Sequence, residues 1–184
     1  VGGSSLFYGG IFLVMGLLVA TENFYQSWRK GPIDRVEQAF LRGDTTSLDV
    51  ALKKLPEEAR REWFKRKMEP AVLHSRVDEV RYLLDRGARV DDTNREGTGW
   101  LFVALSLGVS QEVRCLLAER VQNVDGRGPF METALEDAVG RRNEEVIRIL
   151  MRRGASPELT DRRGNSALSV ARNSCPDLLP LLTR

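Results

Sequence analysis

The chain is poor in residues that do chemistry. Its 184 residues include one histidine and two cysteines, and neither cysteine belongs to a Cys-x-x-Cys pair. A lone imidazole cannot supply the several ligands of a typical zinc site, so His74 is read as a turn or capping residue near the end of a helix. Cys115 and Cys175 are too far apart in the periodicity described below to suggest a mutual disulfide, which leaves two structural thiols. There is no Walker loop, dinucleotide fingerprint or nucleophile elbow, and Gly97-Thr-Gly-Trp100 is too short to cradle a phosphate. With no constellation of acids, bases or metal ligands, neither a cofactor nor turnover is expected. The formal net charge is only +2, and no basic helix is interleaved with stacking aromatics, so nucleic acid is not an expected partner.

What the chain has is a repeat. Ala71, Ala104, Ala138 and Ala171 are separated by 33, 34 and 33 residues, and the same steps link Met68, Leu101, Leu135 and Leu168. A second apolar column, Val80, Val113 and Ile147 with Leu83, Leu116 and Leu150 three residues on, keeps the same phase. Small alanines permit close helix–helix approach, while Val80, Leu83 and Leu84 share one helical face at i, i+3 and i+4. A helix pair of this kind leaves one apolar face uncovered, and stacking further pairs covers it. An ordinary helical bundle would show such a period only by coincidence. Gly87 and Gly154 fall where a left-handed residue commonly ends a helix, whereas Arg120 stands at the third equivalent position and predicts an irregular exit.

The segments Glu79-Val-Arg-Tyr-Leu-Leu-Asp-Arg-Gly-Ala88 and Val146-Ile-Arg-Ile-Leu-Met-Arg-Arg-Gly-Ala155 resemble the second helix and Gly-Ala exit of an ankyrin repeat. Thr133-Ala-Leu-Glu-Asp-Ala138 and Ser166-Ala-Leu-Ser-Val-Ala171 resemble the Thr-Pro-Leu-His-x-Ala start of its first helix, without the Pro and His, and Asp161-Arg-Arg-Gly-Asn-Ser-Ala-Leu168 matches the hairpin loop. The resemblance begins near residue 66. Upstream, Ala39 and Gly43 repeat the spacing of Ala104 and Gly108, so residues 29–65 are read as a linker and degenerate capping repeat, and 66–184 as repeats ending in a partial one. The expected fold is all-α: a helix-turn-helix repeat solenoid of about four to five repeats, degenerate at both ends.

Residues 1–21 carry no charge and are almost continuously apolar from Leu6 to Ala20. About 20 such residues cross a bilayer as a helix. Phe24, Tyr25 and Trp28 follow, then Arg29 and Lys30, the order of an aromatic belt and a cytoplasmic anchor. Residues 1–28 are therefore read as a single transmembrane helix with its interface, which places the repeats in the cytoplasm; an uncleaved signal sequence or a buried helix is the competing reading. Gly2, Gly9 and Gly16 recur every seven residues and line one helical face, either as a packing stripe for another membrane helix or because glycine is common in such helices.

Surface candidates divide into two sets. Arg60-Arg-Glu-Trp-Phe-Lys-Arg-Lys67 carries five basic residues and one acidic, so Arg60, Arg61, Trp63, Lys65, Arg66 and Lys67 could meet anionic lipid or an acidic partner. The alternative is a solvated stretch whose aromatics cap the stack. The resemblance to ankyrin repeats implies a protein-binding face on the hairpin loops, about residues 89–99, 121–132 and 156–166. It carries Arg89, Asp91, Asp92, Asn94, Arg95, Glu96, Asp161 and Arg162, with Trp100 and Phe130 as aromatic anchors. Trp100 stands where the family has Pro, which also suits local packing. The implied function is a membrane-anchored protein–protein interaction module, an accessory or scaffolding subunit of a membrane complex whose partners include membrane protein subunits and lipid. The alternative is an inhibitory or toxin-neutralising protein whose repeats block a partner enzyme.

Overall fold

The computed structural model describes residues 31–94 and 96–183. The expected membrane helix, its glycines Gly2, Gly9 and Gly16, and Arg95 lie outside the described residues. Among the described residues no helix is long and apolar enough to cross a membrane. The described residues divide into two compact units, one ending at residue 60 and the other beginning at residue 61.

In the first unit, helical residues 31–41 form α1 and Thr45–Lys54 form α2. Gly43 joins them at φ +66°, and the Asp44 side chain caps α2 by accepting from the Ser47 amide at 3.0 Å. Val36, Ala39, Leu48 and Leu52 are buried at helical spacing.

The second unit is a stack of helix pairs. α3 (Glu57–Leu73), whose first residues belong to the preceding unit, leads to α4 (Val77–Asp85); α5 (Trp100–Ser106) pairs with α6 (Gln111–Arg120), and α7 (Ala134–Gly140) with α8 (Glu144–Arg152). α9 (Ala167–Ser174) is followed by a 3₁₀ turn and the short α10 (Leu179–Leu182). First helices form one layer, with α5 against α7 and α7 against α9; second helices form the other, with α4 against α6, α6 against α8 and α8 against α10. The periodic columns explain this order. Ala71, Ala104, Ala138 and Ala171 are all 0% exposed, so each first helix is approached as closely as a methyl group allows, and Val80, Val113, Ile147, Leu83, Leu116 and Leu150 are all buried. A larger side chain in the alanine column would overpack the layer at about 1–3 kcal/mol.

The alanine spacing also sets the turns. The Asn143 amide donates to the Ala138 carbonyl and the Arg142 amide to the Val139 carbonyl, and the same two bonds recur from Arg76 to Ala71 and from Ser75 to Val72. These pairs of bonds terminate a helix through a left-handed residue. Ser75 and Arg142 adopt that conformation at φ +54° and +57° without being glycine. Gly87 and Gly154 do the same after α4 and α8. After α6 the exit is irregular as expected, with Val121 at φ −60°.

The structure corrects the reading of the basic stretch. Residues 60–67 lie within α3, a helix more than twice the length of α5 or α7, with Trp63 at 1% and Phe64 at 3% exposure and their rings edge to face at 5.4 Å. Trp63, Phe64, Met68 and Ala71 occupy one stripe of α3. Trp63 is therefore a core residue, unable to touch lipid or a partner. Of the neighbouring cations, Lys67 holds its ammonium 5.9 Å over the Trp63 ring and Arg61 is tied to Asp92, while Arg60, Lys65 and Arg66 are exposed or half-buried.

Candidate functional site

Three hairpin loops project from the second unit, each closed by an antiparallel bridge: Thr93 with Gly99, Arg127 with Thr133, and Thr160 with Ser166. Each loop contains the same backbone bond, from Asn94 to Thr98, Gly128 to Glu132 and Asp161 to Asn165. Each also makes the same tight turn, with the amides of Gly97, Met131 and Gly164 donating to the carbonyls of residues 94, 128 and 161. All three turning residues are left-handed, at φ +79°, +66° and +82°. Two are glycine, which enters this region without steric cost; the third is methionine, which does not.

Three of the predicted polar loop residues, Asp91, Asn94 and Asp161, hold the loops together. Asn94 Oδ1 accepts from the amides of Glu96 and Thr98, and Asp161 Oδ1 accepts from those of Arg163 and Asn165. Asp91 accepts from the Gln122 and Asn123 amides of the next loop at 3.2 and 2.9 Å. Asp125, 34 residues further on, repeats that role with the Ser156 amide at 2.9 Å. Asp92 is 2% exposed and receives the Arg61 Nε donor at 2.7 Å, so it is a buried ion-pair partner and not a contact residue. Trp100 is likewise removed from the surface: it is 1% exposed, and its indole Nε1 is buried without a partner. Arg89, Glu96 and Arg162 remain exposed.

The middle hairpin is different. Its tip carries Phe130, 70% exposed, and Met131, 42% exposed, where the flanking loops carry Glu96-Gly97 and Arg163-Gly164. The capping group has moved with them. Position 128, equivalent to Asn94 and Asp161, is glycine; a Cβ there would lie 2.4 Å from Glu132 Oε1 and 2.8 Å from Phe102 Cε1. Glu132 takes over by accepting from the Phe130 amide at 2.7 Å. Arg127 Nη1 donates to the carbonyls of Met131 and Thr160 at 2.7 and 2.9 Å, and the Arg162 amide donates to the Phe130 carbonyl at 3.3 Å. The backbone that carries this exposed aromatic is thus pinned by its own loop and by the next one. Sequence reasoning found Phe130 but missed Met131, Gly128, Arg127 and Glu132; the signal was a methionine in a column otherwise occupied by glycine.

Glu136, in the first turn of α7, occupies the position of the absent family histidine. It is 8% exposed, and its Oε2 is buried with no hydrogen-bond partner. Burial, reinforced by the nearby carboxylates of Asp161 and Glu132, pushes its acid up to about 7, against the opposing pull of a hydrogen bond from the Thr133 backbone amide and of the Arg127 charge. Cys115 is half-buried on α6 and Cys175 buried after α9, both as free thiols. Burial raises Cys115 to about 11, with Glu145 adding to the effect. His74 is exposed just past the end of α3. Among the described residues no group of three or more His, Cys, Asp or Glu is arranged to hold a metal ion.

Comparison with known proteins agrees with this geometry. A family model described as Ankyrin repeats (3 copies) matches residues 71–161. The chain is 31% identical over 166 residues to Protein PhlB of Serratia liquefaciens, an alignment covering 86% of this chain and 72% of that protein. It is 35% identical over 103 residues to a putative ankyrin repeat-containing protein of Treponema pallidum (strain Nichols), covering 55% of this chain and 34% of that protein. The 33- and 34-residue steps, the two-layer helix stack, the three bridged hairpins and these matches place the chain in the ankyrin-repeat family.

Proposed function

We propose that the chain is a membrane-anchored protein-recognition module, an accessory or scaffolding subunit that holds a protein partner through the hairpin face of its repeats, with Phe130 as the principal anchor. Ankyrin repeats imply protein–protein interaction. The observation that carries the choice of Phe130 is its fixed exposure. A large aromatic left in water sits on a loop latched by Glu132, Arg127 and Arg162, so the loop's backbone entropy is already reduced before a partner arrives. Such rigid aromatics commonly dominate binding energy. The anchoring half of the proposal rests on the uncharged, apolar residues 1–21 and the aromatic and basic residues that follow them.

The same knuckle favours a second reading. A protruding aromatic on a held backbone is suited to entering a partner's pocket, which is how the repeat face would block an enzyme. Purification of the full chain in mild detergent, in parallel with a version lacking residues 1–30 and with Phe130→Ala, separates the two. The accessory role requires stoichiometric membrane proteins that are lost when residues 1–30 are removed. The inhibitory role requires one soluble enzyme retained by the shortened chain and inactive while bound. A partner held equally well by Phe130→Ala would refute the assignment of the knuckle under either reading.

A further inference from the structure

The first and second hairpins are not joined as the second and third are. Between the latter two, the Arg162 amide donates to the Phe130 carbonyl and Arg127 Nη1 donates to the Thr160 carbonyl. One repeat earlier, the residue equivalent to Arg162 is Pro129, which has no amide hydrogen, and the residue equivalent to Arg127 is Thr93, which lacks its reach. A cleft of about 230 Å³ remains between the first two hairpins. Val90, Leu101, Phe102, Val121 and Ala134 form its apolar floor and are all buried, whereas Gly97, Asn123 and Arg127 along its lining are exposed, so it opens to solvent. Two glycines make room for it. Gly99 stands where the later first helices are capped by Thr133 and Ser166, and Gly126 stands where the flanking loops carry Asp92 and Leu159.

An apolar cavity of roughly 150 Å³ takes a benzene ring, whereas sites for drug-sized molecules begin at about 300 Å³. The cleft therefore suits one aromatic side chain. Its charged neighbours favour no ion, because Asp91 accepts from the Gln122 and Asn123 amides and Arg127 Nη1 serves two carbonyls. The same hairpin face carries such an aromatic: Phe130, 70% exposed, does not fill the cleft of its own chain. We infer that the chain pairs with a second copy of itself, the Phe130 ring of each copy entering the cleft between the first and second hairpins of the other. This inference rests on the recognition role proposed above and names a partner for it. A two-fold pair uses one patch twice, so both rings are covered together. With the two stacks running in opposite directions, the first hairpin of one copy faces the third hairpin of the other, and exposed Glu96 meets exposed Arg162 and Arg163. Stacks running in the same direction would set like charges together.

The test is sedimentation equilibrium of the full chain in a density-matched non-ionic detergent, with three variants whose fold is checked by circular dichroism. Phe130→Ala removes the ring. Thr93→Arg copies Arg127 and lays a long side chain across the cleft, and Gly99→Thr copies Thr133 and narrows the cleft beside Phe102. The expected result is a concentration-dependent dimer whose dissociation constant rises roughly tenfold or more in each variant. Mixing Phe130→Ala with Thr93→Arg should then restore part of the pairing, because the mixed pair regains one ring in one open cleft. A merely structural effect of either substitution would show no such recovery. A chain that stays monomeric up to roughly 1 mM, a dimer equally strong in Phe130→Ala and in both cleft variants, or a mixture no stronger than its components overturns the pairing. If the chain is monomeric yet Phe130→Ala loses another protein partner, only the self-pairing fails. If the chain pairs as described and no other partner depends on Phe130, the failure belongs to the accessory and inhibitory readings.

Discussion

Glu136→Gln should stabilise the protein at neutral and alkaline pH and do little in mild acid. The folded chain raises this carboxyl from an ordinary value of 4.5 to about 7, principally by burial. The unfolded chain therefore binds fewer protons between those values, and stability falls as pH rises through the interval. Below about pH 4.5 both states are protonated and no penalty exists; above about pH 7 the folded state carries the whole of it. At full strength the displacement corresponds to about 3 kcal/mol. Residual solvent contact and ionic screening reduce this to about 1–2 kcal/mol. Glutamine keeps the shape and cannot ionise, so the variant recovers that amount at high pH alone. Urea unfolding of both proteins near pH 4.5 and near pH 8.5 measures the difference of differences, in which other titrating groups such as Asp137 cancel. A stability change that is the same at both pH values would show that Glu136 is not a buried, unpaired carboxylate, whatever its sign.

The left-handed positions separate strain from compensation. Met131→Gly relieves a non-glycine φ of +66° and should gain about 1 kcal/mol, read as a higher urea midpoint. Ser75→Gly removes comparable strain but also the Ser75 Oγ that accepts from the Ser110 amide at 2.9 Å, so its midpoint should move by less than about 0.5 kcal/mol. Arg61→Ala leaves the buried Asp92 without its donor and should cost about 1–2 kcal/mol, whereas Arg60→Ala should cost less than about 0.5 kcal/mol. With its thiol raised from 9.0 to about 11, Cys115 should be alkylated by iodoacetamide about a hundredfold more slowly than an ordinary cysteine at neutral pH; rapid labelling in the native state would refute its burial.

The helical stack was legible because its signals are periodic. Alanines at 33- and 34-residue steps encode both the close approach of first helices and the carbonyls that end them, so a single column reports packing and turn together. Trp63 and Trp100 were harder to place. An aromatic beside five cations looks like a surface feature until α3 is known to continue through it, and an aromatic at a helix entry looks like an anchor until its burial is known. Polarity misled in the same way at Asp91, Asp92, Asn94 and Asp161, which satisfy amides and a guanidinium. For Asn94 and Asp161 the bonded amides lie two and four residues on, whereas for Asp91 and Asp92 the donors lie 31 or 32 positions away, which no local pattern reveals.

The middle hairpin shows what a repeat can say when it departs from itself. Three neighbouring replacements occur together: glycine at 128 where the other loops cap, phenylalanine at 130 where they are polar, and methionine at 131 where they are glycine. Independent drift would leave the capping amide unsatisfied, yet Glu132 satisfies it, and Gly128 leaves the space that Glu132 occupies. The coupling makes a test available. Gly128→Ala adds one methyl that collides with Glu132 Oε1 and the Phe102 ring and forces the cap away from the Phe130 amide. It should therefore cost about 1–3 kcal/mol and loosen the knuckle while leaving Phe130 in the sequence. If the latch matters for recognition because it preorganises the aromatic, partner affinity falls in Gly128→Ala mainly through faster dissociation. Unchanged affinity would mean that the partner selects Phe130 without needing it held.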